Sequence, residues 1–232
     1  MYLDEIIKDE INYVNIVTIL KLPHKIILNT KDYFLIHFPV ADIYYAGCDE
    51  KSGKEEELCN KIKELNYKVV TTPSEKVSKG LNSKFSRGYL QFVYRGEEIK
   101  ESESKLTTLK DEDFEYVQET YHRGEQMKRL HESKRIWGYY ENGVLIGYVM
   151  EKFNGSTGGL FVKPEFRNKG YGTLLLKEGF CKAKKYARFS QVDFENIASI
   201  RAHETLNCIK CDVTIYWNSN RLIYFNYLNF MS

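Results

Sequence analysis

The chain is short of proline, with four in 232 residues, and together with 43% hydrophobic and 28% charged residues this excludes a disordered polypeptide. It lacks a paired set of cysteines. Cys48, Cys59, Cys181, Cys208 and Cys211 are odd in number and scattered, which excludes a disulfide framework and fits reduced thiols. The spacing of Cys208 and Cys211 suits a metal, but a zinc site needs four ligands and no second pair lies near, so no metal is expected. It also lacks an excess of one charge. With 34 basic and 32 acidic side chains there is no electrostatic footprint for nucleic acid or an anionic membrane, and neither partner is expected. The densest basic run, Lys182 to Arg188, ends a predicted helix, where cations complement the dipole. Long apolar runs are missing too. MYLDEIIKDE has no basic start or signal-like core, and the apolar stretch after it is broken by Asn12, Asn15, Lys21, His24 and Lys25. A cytoplasmic protein without a membrane span is expected.

What is present is aromatic: eighteen tyrosines and thirteen phenylalanines supply packed interiors without pointing to one site. The length allows one large domain or two modest ones. GEEIKESESK, Gly96 to Lys105, is polar and without apolar periodicity, so it reads as a linker that halves the chain. Before it, YFLIHF and DIYYAGC predict strands, EEELCNKIKELN a helix and KVVTT a strand. After it come a short strand KLTTL and one or two helices over Asp111 to Leu130, with Asp111 as N-cap. IWGYYE and VLIGYVMEKF then form a hairpin whose Asn142-Gly143 suits a type I′ turn. A strand GGLFV, a glycine turn, a helix, a strand FSQVDF, a helix ENIASIRAHETLN and the runs DVTIYW and LIYFNYL complete the order.

The turn FRNKGYGTLL, Phe166 to Leu175, carries the chemistry. A strand closes at Lys163-Pro164, and Leu175, Leu176, Gly179, Phe180, Ala183 and Ala187 then fall at helical spacing. The first N–H groups of such a helix lack partners and sit at the positive end of its dipole, so an anion binds there. Gly170 and Gly172 let the backbone approach, and Arg167 and Lys169 add charge, which points to a phosphate or pyrophosphate. A Walker loop is absent, and a dinucleotide fingerprint would need a third glycine where Leu175 stands.

With these elements in this order, residues of about Lys105 to Trp217 resemble the GNAT superfamily, the general-control-related N-acetyltransferases. VKPEFRNKGYGTLLL matches the family's strand, glycine turn and helix, and NIASIRAHETLN its later helix. The resemblance implies an α/β (α+β) fold, with a mixed, mostly antiparallel twisted sheet flanked by helices. It implies acetyl-coenzyme A as cosubstrate, no metal, and direct transfer of an acetyl or short acyl group to a primary amine. Arg167, Asn168, Lys169, Gly170, Tyr171, Gly172 and Thr173 would hold the pyrophosphate. Leu160, Phe161 and Val162 would pair with the pantetheine arm, the Leu160 N–H polarising the thioester carbonyl. Asn196 and Ser199 would bind the arm from the other side, although Asn196 is equally a good N-cap.

His203 stands where the family often has a proton-donating tyrosine; it is either that donor or a structural helix residue. Ser156 replaces a glutamate of several members, leaving Glu151 and Asp193 as candidate bases, directly or through water. The first half resembles a degenerate copy, as in tandem members similar to glycine N-acyltransferases. This gives residues 1–104 as scaffold or acceptor pocket and 105–232 as the catalytic domain, in a monomer or homodimer. The alternative is an acyl-coenzyme A-binding sensor that has lost catalysis.

Overall fold

The computed structural model describes residues 1–121, 124–184 and 188–220. The predicted run LIYFNYL, residues 185–187 of the basic run with the expected face residue Ala187, and His122-Arg123 lie outside them. Two compact units emerge: Met1–Gln91 with the chain from Lys210 onward, and Phe92–Ile209. This differs from the expected division at 104/105, because the polar segment that looks like a linker is not where contacts thin out.

In the first unit, α1 (Tyr2–Ile6) and α2 (Val14–Leu20) precede β1 (Lys25–Asn29), β2 (Tyr33–Phe38) and β3 (Ile43–Cys48). Then follow α3 (Glu55–Glu64), β4 (Val69–Thr72), α4 (Glu75–Leu81) and β5 (Phe85–Val93), within which the chain passes into the second unit. The neighbouring strands β1, β2 and β3 are antiparallel, and β3 runs parallel to β4. β2 is buried at nearly every position, as a strand covered on both faces must be. Leu35, Ala46, Leu58, Ile62, Val70, Val77 and Leu81 form the core between sheet and helices. Ser74 caps α4 by accepting from the Val77 N–H, and Asn82 ends it with φ 49°.

The second unit holds β6 (Leu106–Thr108), α5 (Phe114–Tyr121), α6 (Gly124–Glu132), β7 (Ile136–Glu141), β8 (Val144–Glu151) and β9 (Thr157–Val162). α7 (Tyr171–Lys182), β10 (Phe189–Asp193) and α8 (Ile197–Thr205) follow, then β11 (Ile209–Lys210), with which the chain leaves the unit. β12 (Ile215–Ser219) is the last described strand and belongs to the first unit, where it lies between β4 and β5, antiparallel to both.

β6, β7, β8 and β9 make an antiparallel sheet in that order, with β9 at its edge. The β7–β8 turn has Asn142 at φ 49° and Gly143 at φ 80°, the left-handed pair that its sequence requires. Asp111 does not cap a helix: it lies in a short 3-10 turn, and its Oδ1 meets His131 Nε2 at 2.8 Å. Leu175 of α7 packs with Leu106, Trp137 and Val149, while Leu176 and Phe180 turn toward Ala202 and Leu206 of the α8 region. Among the described residues no helix is long and apolar enough to cross a membrane.

Candidate coenzyme site

The site starts at β9, the edge strand of its sheet among the described residues. Its partner β8 pairs Tyr148 with Phe161 and Met150 with Gly158, so Val149 alone faces both Gly159 and Leu160. One residue too many on β9 makes a bulge, and Gly159 takes it up at φ 58°. No other residue type is comfortable there, since a Cβ at Gly159 would lie 2.6 Å from Met150 Cε. The paired glycines in GGLFV are the sequence signal for such a bulge. On the outer side β10 touches β9 at its base, where Ser190 Oγ donates to the Thr157 carbonyl at 2.9 Å, and the two strands share no ladder among the described residues. Leu160, Phe161 and Val162 therefore lie on an edge strand distorted by a bulge.

Past Val162 the chain makes a short 3-10 turn over Pro164–Phe166 and reaches α7 through Asn168 at φ 61° and Gly170 at φ 84°. Gly170 is the N-cap, and the first helical bond runs from Leu174 N–H to its carbonyl at 3.1 Å. A Cβ on Gly170 or Gly172 would meet nothing within 4 Å, so the turn faces open space. Arg167 folds back on the strand: its Nε donates to the Val162 carbonyl at 3.2 Å and its guanidinium lies 5.8 Å from the Phe161 ring centre. Lys169 is exposed, its Nζ 3.3 Å from the Glu165 carbonyl. Tyr171 and Thr173 begin the helix, partly buried.

Asn196 caps α8, its Oδ1 accepting from the Ser199 N–H at 3.0 Å. One turn on, the Ser199 carbonyl lies 2.6 Å from Nδ1 of His203. A carbonyl only accepts, so Nδ1 carries the proton and Nε2 is left with a lone pair. His203 is 2% exposed, its ring lies 4.7 Å from Phe92 and 6.0 Å from Phe180 between centres, and Nε2 finds no hydrogen-bond partner. Burial pulls its pKa from 6.5 down to about 4, against a small opposing pull from the Ser199 bond. The imidazolium expected of a proton donor is therefore not the form present at neutral pH. In this tautomer His203 offers an acceptor at Nε2, which supports the structural reading of this residue, and its burial is not revealed by its sequence position.

The two candidate bases are both buried. Glu151, 6% exposed at the end of β8, has its pKa raised by burial, partly offset by Arg135, whose Nη1 lies 3.5 Å away, and by Lys184. Asp193, 4% exposed at the end of β10, accepts from the Glu195 N–H through Oδ1 at 2.9 Å. Ser156 is also buried, its Oγ donating to Asn154 Oδ1 at 2.9 Å. Burial pushes the Cys208 and Cys211 thiols up to about 12.

Residues 98–207 match the sequence profile of a family described as the acetyltransferase (GNAT) family. Among solved structures, a protein from Drosophila is similar over 94% of this chain and 96% of its own, at 12% identity and a TM-score of 0.59. A GCN5-related N-acetyltransferase from Kribbella flavida is similar over 90% of this chain and 93% of its own, at 9% identity and a TM-score of 0.54. At such identities the likeness is one of fold. No curated protein matches the sequence.

Proposed function

This chain belongs to the GNAT superfamily through residues 98–207, and from that premise we propose that it transfers an acetyl or other short acyl group from acetyl-coenzyme A directly to a primary amine of a small molecule or peptide. The observation that carries this reading is the bulged edge strand β9 running into an open glycine turn at the start of α7. When bound, the coenzyme supplies a thioester whose carbonyl an amine attacks.

The rest is done by the chain's own groups. The N–H groups of Asn168 to Thr173 hold the pyrophosphate at the positive end of α7, with Lys169 adding charge, while the Arg167 N–H is taken by the Pro164 carbonyl at 3.2 Å. The edge of β9 at Leu160, Phe161 and Val162, where the Val162 carbonyl already accepts from Arg167 Nε, lines the amide-bearing pantetheine arm as a neighbouring strand would, and the Leu160 N–H donates to the thioester oxygen. Asn196 uses Oδ1 for its cap, which leaves its NH₂ to donate to the arm from the α8 side, beside Ser199.

The amine must shed a proton before it attacks. Glu151 suits that task better than an exposed carboxylate, since burial raises its proton affinity toward neutrality. Calorimetric titration with acetyl-coenzyme A, followed by a panel of amines scored for coenzyme A release, tests the reading. Binding with release for at least one amine is expected; no binding at millimolar ligand overturns it. Binding without release for any amine would favour a coenzyme-binding sensor, a second reading supported by the neutral, buried His203.

A further inference from the structure

Gly170 and Gly172 have no side chains, and nothing stands within 4 Å of where a Cβ would be. Packing at the glycines therefore does not fix the turn, and glycine carries the largest conformational entropy to lose. The side chain between them does the fixing. Tyr171 donates from its hydroxyl to Glu141 Oε1 at 2.8 Å, and Tyr139 donates to the same oxygen at 3.0 Å. Tyr139 and Glu141 are two apart on β7 and so project from one face, just before the Asn142-Gly143 turn. The Tyr139 and Tyr171 rings lie 5.6 Å apart, and Tyr171 also meets the edge of Phe166 at 6.4 Å, over which Lys169 sits at 5.5 Å.

A carboxylate beside a site for an anion is unexpected, because its charge opposes the ligand. Two hydroxyls directed at one of its oxygens give it another use. The bond from Tyr171 to Glu141 is the largest cause raising the Tyr171 pKa, so the phenol stays a donor throughout the neutral range.

We propose that Glu141 is a positioning residue for the coenzyme: by gripping Tyr171 and Tyr139 through Oε1 it sets the glycine turn in the conformation that receives the pyrophosphate. The proposal rests on the reading of that turn as the coenzyme site. It assigns Glu141 the part of an acceptor, not of a charge.

The test uses the full chain and two measurements, hydrogen exchange of the amides of Asn168 to Thr173 without ligand and calorimetric titration with coenzyme A. In Glu141→Ala and in Tyr171→Phe the turn should exchange faster, and the dissociation constant should rise about tenfold, the scale of one lost hydrogen bond to a charged group. Glu141→Gln should restore both, because an amide oxygen accepts the same two bonds. Tyr171→Phe keeps the ring packing and decides the matter if Glu141→Ala does not fold. Wild-type exchange and affinity in the Ala and Phe variants would overturn the positioning role, as would a Gln variant that behaves like Ala. A wild-type chain that binds no coenzyme A would instead bring down the coenzyme reading and, with it, the purpose assigned to Glu141.

Discussion

At the scale of single residues, His203 and Gly170 make opposite demands on the site. His203 is buried and neutral, with its folded pKa near 4 against 6.5. Between these values the unfolded chain takes up a proton that the native chain refuses, so stability falls as pH drops through that window, by about 3 kcal/mol in all. His203→Leu should remove that part of the acid sensitivity, and urea unfolding at neutral pH and near pH 4.5 measures it. An unchanged slope would mean that the ring is hydrated in solution. The same variant should cost much less turnover than the roughly hundredfold loss of a true general acid. At Gly170 the backbone is left-handed and faces open space. Gly170→Asp should abolish acetyl-coenzyme A binding by placing a negative charge at the anion site, with at most about 1–2 kcal/mol of lost stability from the φ; calorimetry and thermal melting separate the two effects.

At the scale of elements, the bulge in β9 turns an ordinary edge strand into a candidate site. Gly158 and Gly159 are adjacent, yet their surroundings differ. A Cβ at Gly159 would strike Met150 at 2.6 Å on a backbone with positive φ, whereas one at Gly158 would meet only the flexible end of Lys152 at 3.3 Å. Gly159→Ala should therefore destabilise by about 2 kcal/mol and weaken coenzyme binding, while Gly158→Ala should be nearly neutral. Melting temperatures of the two variants check this, and equal losses would refute the placement of the bulge. The sequence reads GGLFV as a plain strand; the bulge, and which of the two glycines takes the unusual conformation, come from the pairing with β8. The Asn142-Gly143 turn and the Asn196 cap were legible because each depends on a few neighbouring residues. α1, α2 and α4 were not. Each has only five to seven residues, too short for a helical period to stand out, and they owe their existence to buried side chains such as Ile16, Ile19 and Val77.

At the scale of the whole molecule, the glycine turn before α7 belongs to the second unit. In the first unit α3 follows strand β3 and opens on Glu55, Glu56 and Glu57 after Asp49 and Glu50. Carboxylates in a helix's first turn satisfy its dipole and repel a phosphate. Its strands β3 and β4 are also joined in a parallel ladder, from Ile43 with Val69 to Tyr45 with Thr71, where β9 and β10 share none among the described residues. Titration should thus saturate at one coenzyme per chain, and a stoichiometry of two would overturn that division of labour. The first unit depends on β12, which pairs Tyr216 with both Thr72 and Gly88. A chain ended after Ile209 should lose amide protection in β4 and β5, because both would become unpaired edges.

The sequence by itself determined the order of elements in Phe92–Ile209, the family they belong to and the glycine turn, since these rest on local spacing, turn chemistry and helix periodicity. Only the tertiary structure decided that the chain divides inside β5 and returns through β12. It alone showed that His203 is sealed among Phe92 and Phe180, and that Glu141 reaches a tyrosine thirty residues away. Burial and long-range pairing depend on which distant segments meet, and no window of neighbouring residues records that.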